Sequence, residues 1–504
     1  MSTITFNNVP LEMRTVRTPG VYSEVDNSRA LGDNVENPHK VLIIGQKTAS
    51  GTSDLDTLKK ITTENIADGY FGARSILGRM CKKFKQANPY TECYAIALSE
   101  ATAAVASGAI SFSVALSHNA GIVSVDNETV NLMINGTQLP VTLTALWSVT
   151  DVNSAVVAKI NASPYLPLTA STNAASAILL TAACAGSLGN EIKTQFNFYE
   201  GQNYPTCFGD SALVTAMADG ANNPDIADAW AVIDNEQFHH IISAYSDEDN
   251  FDALHTELET RFGPLIDQQG HGYIALNATN AALITYGDDK NSAFISVLGY
   301  DDGPQTAEEW AAVLGAECSL YLNLDPARPL QTLELPGIIA PKTADLFSRD
   351  ERDLLLRDGI STWIQGTSGA VVIERIITTY QVNDLDLPDA SYLNIQTLAT
   401  LSEIRYQYKL RMYTRFISER FKLADDTFPV QPGQYIATPK TIKQEIIALF
   451  SELRDVGLVE NIDDFADNMI VERDTTDKDR VNVLLPPDLV NQFRILATVV
   501  QFIL

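Results

Sequence analysis

Positive charge is what this chain most conspicuously lacks: 35 Lys and Arg stand against 63 Asp and Glu in 504 residues, a formal net of −28. A nucleic-acid binder needs cations to displace counterions from phosphates, so direct nucleic-acid binding is set aside. An anionic membrane surface is a poor partner for the same reason. Cysteine is also scarce. Cys81, Cys93, Cys184, Cys207 and Cys318 are scattered, odd in number and form no CxxC pair. That excludes a disulfide framework or a zinc knuckle and leaves buried, reduced thiols. Long apolar runs are missing, and none approaches the roughly 20 residues that span a bilayer, so no membrane insertion is expected. The first residues carry no basic stretch followed by an apolar one, so the expected place of synthesis is a reducing cytoplasm without export.

What is present supports folded domains. Apolar residues make up 45% and charged residues 19%, which rules out wholesale disorder. A chain this long outgrows one core, and three or four domains are expected. Residues 1–40 read as an arm. The strand-like Val21-Tyr22-Ser23-Glu24-Val25 lies among turn formers such as Pro19-Gly20 and Asp26-Asn27, with too little apolar content to fold alone. Val41–Ile44 and Tyr94–Leu98 are buried-strand signals that open an α/β layer over 41–100. From 101 to 200 charge nearly vanishes. Alternation at Ile110–Val114, Ile122–Val125 and Thr129–Ile134, followed by the turn signal Asn135-Gly136, predicts a small inserted β-rich domain with a helix over Val152–Ile160.

The α/β pattern resumes over 201–375. Strands are predicted at Trp230–Ile233, His240–Ser243, Gly272–Leu276, Ser292–Leu298 and Gly369–Ile373, and helices at Asp249–Phe262 and Thr306–Leu320. Residues 209–310 hold nineteen acidic residues against Arg261 and Lys290 alone, which reads as a solvated acidic face. An α+β C-terminal domain is expected over 376–487. It has an amphipathic helix over Asn394–Lys422, a second helix started by Thr438-Pro439, and a hairpin from Met469–Val471 and Val481–Leu485. The first of these helices is basic in an acidic chain: Arg405, Lys409, Arg411, Arg415, Arg420 and Lys422 oppose Glu403 and Glu419. Its cations either pair within the protein or face a partner.

The last segment, 488–504, follows Pro486-Pro487 and reads as a strand that is apolar on both sides. Phe493, Ile495, Ala497, Val499 and Ile503 fall on one face; Leu496, Val500, Phe502 and Leu504 fall on the other. Left bare, such a strand is an aggregation site. It is either a central strand of its own domain or pairs with another subunit by β-augmentation. A contact passed from subunit to subunit without closing builds rings or helical filaments.

Several patterns imitate catalytic sites. Gly366-Thr-Ser-Gly-Ala370 and His271-Gly272 resemble the nucleophile and histidine motifs of subtilisin-type proteases, and Asp234, His271 and Ser368 would complete a triad. The strand-end Asp motif and the helix signature of the histidine are absent, so a serine hydrolase stands only as the alternative. Leu42–Thr48 lacks the glycines of a phosphate loop. His239 and His240 are adjacent on a strand and point to opposite faces, so they cannot share an ion. Asp384, Asp386 and Asp389 lack the glycine and distal glutamate of a calcium loop. No cofactor or metal is expected.

Motifs spread along the chain resemble the Mu-type family of phage tail sheath proteins. They are Ile4–Pro10, Pro19–Arg29, Val41–Gln46, Val372–Tyr380, Lys422–Asp426, Leu484–Gln492 and Gln501–Leu504, all in the family's order. The resemblance implies a subtilisin-like α/β core without protease activity, a β-rich insert, an α+β C-terminal domain and linking arms at both ends. It implies homo-oligomers: hexameric rings stacked around a tail tube, joined by strand exchange through Val21, Tyr22 and Val25 at one end. At the other end the exchange would use Phe493, Ile495, Val499, Val500, Phe502 and Leu504. Contraction on a signal from the baseplate would drive the tube through the host envelope, with a tail terminator protein as a further partner. The location implied is the virion tail, assembled in the host cytoplasm; the sheath of a tail-like bacteriocin particle fits the same motifs. The tube-facing surface is expected on the basic helix, at Arg405, Lys409, Arg411 and Arg415.

Overall fold

The computed structural model describes residues 37–99, 104–114, 128–145, 147–172, 177–203, 208–431 and 433–503. Val21, Tyr22, Val25, Cys207, Leu504 and the strand expected at Ile122–Val125 lie outside the described residues. The architecture is a mixed α/β multidomain fold.

Two apolar runs seed the central layer. β1 (Lys40–Gln46) pairs in parallel with β3 (Glu92–Leu98), from Lys40 opposite Glu92 to Gln46 opposite Leu98. Between them lie β2 (Leu58–Ile61), α1 (Ile66–Phe71) and α2 (Ile76–Ala87). The chain then leaves for the insert. This comprises β4 (Ser107–Val114), β5 (Thr129–Ile134), β6 (Thr137–Thr142), α3 (Val149–Ala162), β7 (Leu168–Thr172), β8 (Ile178–Ala182), β9 (Thr194–Phe196) and β10 (Phe208–Ala218). Two antiparallel sheets, ordered β10-β4-β8-β7 and β6-β5-β9, share a core of Ile110, Val130, Val156, Ile160 and Leu180 with α3. Asn135 and Gly136 form the β5–β6 turn with φ of 46° and 73°, the left-handed pair that an Asn-Gly hairpin turn uses. The insert closes at a bridge between Ala104 and Ala221 rather than at 200. The turn formers around Gly201 read as a domain end, but they only precede one more strand, β10, which returns to pair with β4.

The second part of the core contains α4 (Asp228–Ile233), β11 (His240–Ser243), α5 (Glu248–Phe262), β12 (His271–Asn277), α6 (Asn280–Asp288) and β13 (Ile295–Tyr300). It continues with α7 (Ala307–Leu324), β14 (Glu334–Ile339), α8 (Arg349–Arg357), β15 (Ile360–Gln365) and β16 (Ala370–Arg375). The nine strands order as β14-β16-β15-β13-β12-β11-β1-β3-β2, with the six from β15 to β3 parallel and antiparallel strands at the edges. The strand predicted at Trp230–Ile233 is instead the short helix α4. Ala229 and Ile233 are buried at a helical spacing, and left-handed Asp234 (φ 40°) stops it. α7 is buried on every side from Ala307 to Ser319, as expected for a helix packed on β11, β12 and α2 at once. Gly315 permits this: a Cβ there would lie 2.5 Å from Ile242 on β11.

The C-terminal domain contains α9 (Ile395–Met412), β17 (Lys422–Leu423), β18 (Ile436–Ala437), α10 (Pro439–Asp455), β19 (Val459–Glu460), α11 (Ile462–Asn468), β20 (Ile470–Arg473), β21 (Val481–Leu484) and β22 (Asp488–Leu489). α9 stops at Met412 in a π-type turn, short of the predicted Lys422. Aromatic and β-branched side chains crowd its end, and Phe416 folds back edge-on to Phe421 with centroids 5.5 Å apart. The first half of α9 (Ile395, Leu398) packs in the central core, and the second half (Ile404, Tyr408, Met412) packs in the C-terminal one. The domain boundary therefore falls inside this helix rather than at 376.

Candidate assembly surfaces and domain junctions

The strand order changes direction at β1, and the crevice beyond the C-terminal strand ends at such a point is where open α/β sheets bind ligands. Here that crevice is plugged. Arg79 of α2 reaches Glu308 with Nη2 (2.5 Å) and Glu309 with Nη1 (2.8 Å), both in the first turn of α7, and all three side chains are buried. The insert docks on the same helix end. Asn135 Oδ1 accepts from the Thr306 N–H at 3.0 Å, and Asn135 Nδ2 donates to Glu309 Oε1 at 2.7 Å. Glu191 accepts from the Ala307 N–H at 3.1 Å; burial and the nearby Glu308 push its carboxyl up to about 8. The hub is a structural joint between insert and core.

The opposite, N-terminal end of the sheet opens on a cleft of about 950 Å³ between the core and α9. Four of the chain's six histidines gather there. His39 Nδ1 lies 2.9 Å from His240 Nε2, so a single proton is shared between the rings, and Tyr273 Oη lies 2.9 Å from His240 Nδ1. His239 stacks on His39 with centroids 4.4 Å apart and accepts from the Lys40 N–H at 3.1 Å. His271 Nε2 lies 2.9 Å from Ser296 Oγ. Burial lowers His39 to about 4 and His239 and His271 to about 3, so the rings sit neutral. Among the described residues no group of three or more His, Cys, Asp or Glu side chains is arranged to hold a metal ion.

The triad does not assemble. His271 begins β12 beside the level of Ile295, whereas Ser368 lies past the far end of β15, whose Ser361 already pairs with Leu298. At ~3.3 Å per strand residue they are more than about 20 Å apart. The small residues around Ser368 serve a tight turn, with Gly369 at φ 83°.

At the chain's end, β22 pairs with β19 and ties residues 488–489 to their own domain. Beyond Arg494 the chain runs out without a strand partner among the described residues. Phe493, Ile495, Leu496, Val499, Val500, Phe502 and Ile503 are between 71% and 100% exposed. Of the two readings open in sequence, a central strand within its own domain is not what the structure has: the segment has no regular secondary structure and no partner strand among the described residues. Nearby, β20 and β21 form an isolated hairpin of register Ile470–Leu484 to Arg473–Val481, its outer edges unpaired among the described residues.

Family comparisons bear on these surfaces. A model described as the phage tail sheath protein central domain matches residues 219–379, and one for the phage tail sheath C-terminal domain matches residues 388–503. The Mu-like prophage FluMu tail sheath protein of Haemophilus influenzae is 35% identical over 99% of this chain and 100% of its own. The chain belongs to the phage tail sheath family. Among solved structures, the sheath tail protein of Desulfitobacterium hafniense is similar at TM-score 0.48 and 11% identity, covering 94% of this chain and 97% of its own. The anti-feeding prophage helical sheath in its contracted state is similar at TM-score 0.49 and 11% identity, covering 97% and 99%. The sheath family is structural, and this sheath protein is not an enzyme. No helix among its described residues is long and apolar enough to cross a membrane.

Four cations of the predicted basic helix pair within the sheath protein. Arg405 pairs with Asp267 at 2.5 Å and lies over the Phe262 ring, and Lys409 reaches the same Asp267 at 2.9 Å. Arg411 is buried between Glu445 and Glu452 of α10, and Arg415 lies 3.3 Å from Glu445. Arg411 is thus a buried strut between α9 and α10. Composition alone missed Arg79, Glu308 and Glu309, because a buried ion pair leaves no periodic signal. The Asn135-Gly136 turn was visible in sequence, but its docking site was not.

Proposed function

We propose that this sheath protein polymerises by lending its C-terminal arm, and the arm containing Val21, Tyr22 and Val25, to neighbouring copies as added β-strands. The unpaired, apolar segment from Ile495 onward is the observation that carries this reading. Burying each large apolar side chain contributes about 1.5–3 kcal/mol, while ordering each residue costs about 1–2 kcal/mol. Side-chain burial alone barely offsets ordering, so the arm needs the backbone hydrogen bonds of a receiving strand. The β20–β21 hairpin offers such edges, with Ile470 and Leu484 exposed on it.

In this reading the copies stack as hexameric rings around a tail tube, between a baseplate and a tail terminator, in a virion tail assembled in the host cytoplasm. The central layer acts as a subtilisin-like scaffold whose ligand crevice has become a domain joint. Contraction moves rigid domains about compliant arms. The work is stored in the lattice during assembly. Of the basic helix, Lys409 and Arg415 keep exposed side chains (67% and 55%) and are the two available to a tube surface. Negative-stain electron microscopy of the purified chain tests the reading. Hollow striated tubes are expected; a chain that remains monomeric at every concentration overturns it.

A further inference from the structure

We propose that Arg375, Arg494 and the N-terminus of α9 form a carboxylate receptor, filled in the polymer by an acidic side chain of a second copy of this chain. The inference rests on the polymerisation proposed above.

Arg375 ends β16, and its Nη2 donates to Asn394 Oδ1 at 3.1 Å. Asn394 is the residue before α9, and its side chain caps no N–H of that helix. Arg494 lies at the root of the C-terminal arm, and its Nη2 donates to Gln396 Oε1 at 3.0 Å. Both guanidiniums are partly buried, close enough that the charge of Arg375 acts on Arg494, and their described partners are neutral amide oxygens. Among the described residues four buried donor atoms there remain without a hydrogen-bond partner: Arg375 Nε, Arg494 Nε, Arg494 Nη1 and Gln396 Nε2. Gln396 is wholly buried.

Among the described residues no local acid answers them. The first turn of α9 contains none. Glu374, next to Arg375, faces away and accepts from Arg352 Nε at 2.8 Å and Thr362 Oγ1 at 2.9 Å. Two like charges and the positive end of an 18-residue helix therefore converge with their donors unspent. Buried charge without a counter-charge is costly, and a carboxylate accepting from a guanidinium fork is the geometry that relieves it. In a concentrated homopolymer the abundant anion is the chain's own carboxylate, since 63 acidic residues face 35 basic ones. The site also adjoins the point where the arm leaves its own domain. The neighbour that holds the arm is brought against it, and filling the receptor fixes the direction in which the arm departs.

The test compares wild type with Arg375→Gln, Arg494→Gln and Arg494→Lys, reading the melting temperature of the dispersed chain and the critical concentration for sedimentable tubes. Removing a guanidinium relieves the like-charge pair, so the Gln variants are expected to melt no lower than wild type. Their critical concentration rises at least roughly tenfold, with Arg494→Lys in between. Variants that melt lower yet polymerise like wild type would show the arginines to be intrachain struts and overturn the proposal. Sulfate that raises the wild-type melting temperature but not that of the Gln variants, with tube formation unchanged in all, would show a free-anion site and overturn it too. If wild type itself forms no tubes, the polymerisation reading fails and takes this inference with it; tubes from all four chains at the same critical concentration sink this inference alone.

Discussion

Asn135 Nδ2 and Arg79 Nη1 both donate to Glu309 Oε1, at 2.7 Å and 2.8 Å. One carboxylate oxygen thus joins the hairpin tip of the insert to the ion-pair hub of the core. The crevice that serves catalysis in other α/β sheets is here a load path between domains. Arg79→Ala leaves Glu308 buried without its cation and Glu309 with Lys83 alone, 3.4 Å away, and should cost about 3–5 kcal/mol. Urea denaturation of the dispersed chain measures it. Limited proteolysis should cut first at the joints of the insert; an unchanged midpoint would mean the hub is not a structural joint.

Glu191 adds a pH-dependent contribution to the same joint. Its folded carboxyl titrates near 8 instead of near 4.5, so the folded chain holds a proton that the unfolded chain has released. That difference removes stability as pH rises from about 4.5 to 8. Glu191→Gln keeps an acceptor for the Ala307 N–H and has nothing to ionise. It should raise the melting temperature by roughly 3 °C at pH 8.5 and leave it unchanged at pH 4.5, as read by differential scanning fluorimetry.

The histidine cluster acts in the other direction. His39, His239 and His271 take up protons near 6.5 when unfolded but only near 3 to 4 when folded. Their contribution is full above pH 7 and is lost progressively as pH falls from about 6.5 toward 3, by up to ~1.4 kcal/mol per pH unit for each fully coupled ring. The other titratable groups at this junction include His240, Lys40, Lys409, Tyr273, Tyr406, Tyr413, Glu236, Asp267, Asp325 and Glu403, and of these the carboxylates would favour the charged rings and so oppose the effect. The double variant His39→Gln, His239→Gln should melt with a visibly flatter pH profile between pH 7 and 4.5 than wild type.

Much of the core was readable because buried parallel strands are continuous apolar runs. Val41–Ile44, Tyr94–Leu98, His240–Ser243 and Gly272–Leu276 all lie in the sheet. Local turn chemistry was equally legible: Asn135-Gly136 makes its hairpin, and Thr438 caps α10 ahead of Pro439. The misses arose where long-range packing outvotes local pattern. Trp230–Ile233 is too short for its period to separate strand from helix, and α9 belongs to two cores, so no composition shift marks the boundary it crosses. The basic helix left internal pairing and a partner surface both open in sequence, because the acids it pairs with, Asp267, Glu445 and Glu452, are distant along the chain. The terminal segment kept both of its readings open in sequence, since apolar faces alone do not say whose strand will cover them.

Removing residues 495–504 tests the account most directly, because it deletes the bare apolar segment while keeping Arg494 and the β22 anchor. The truncated chain should melt within about 1 °C of the full chain, since residues 495–503 are exposed and unpaired among the described residues, yet should yield no sedimentable tubes. Tubes forming at the full chain's critical concentration would contradict the claim that this arm carries polymerisation.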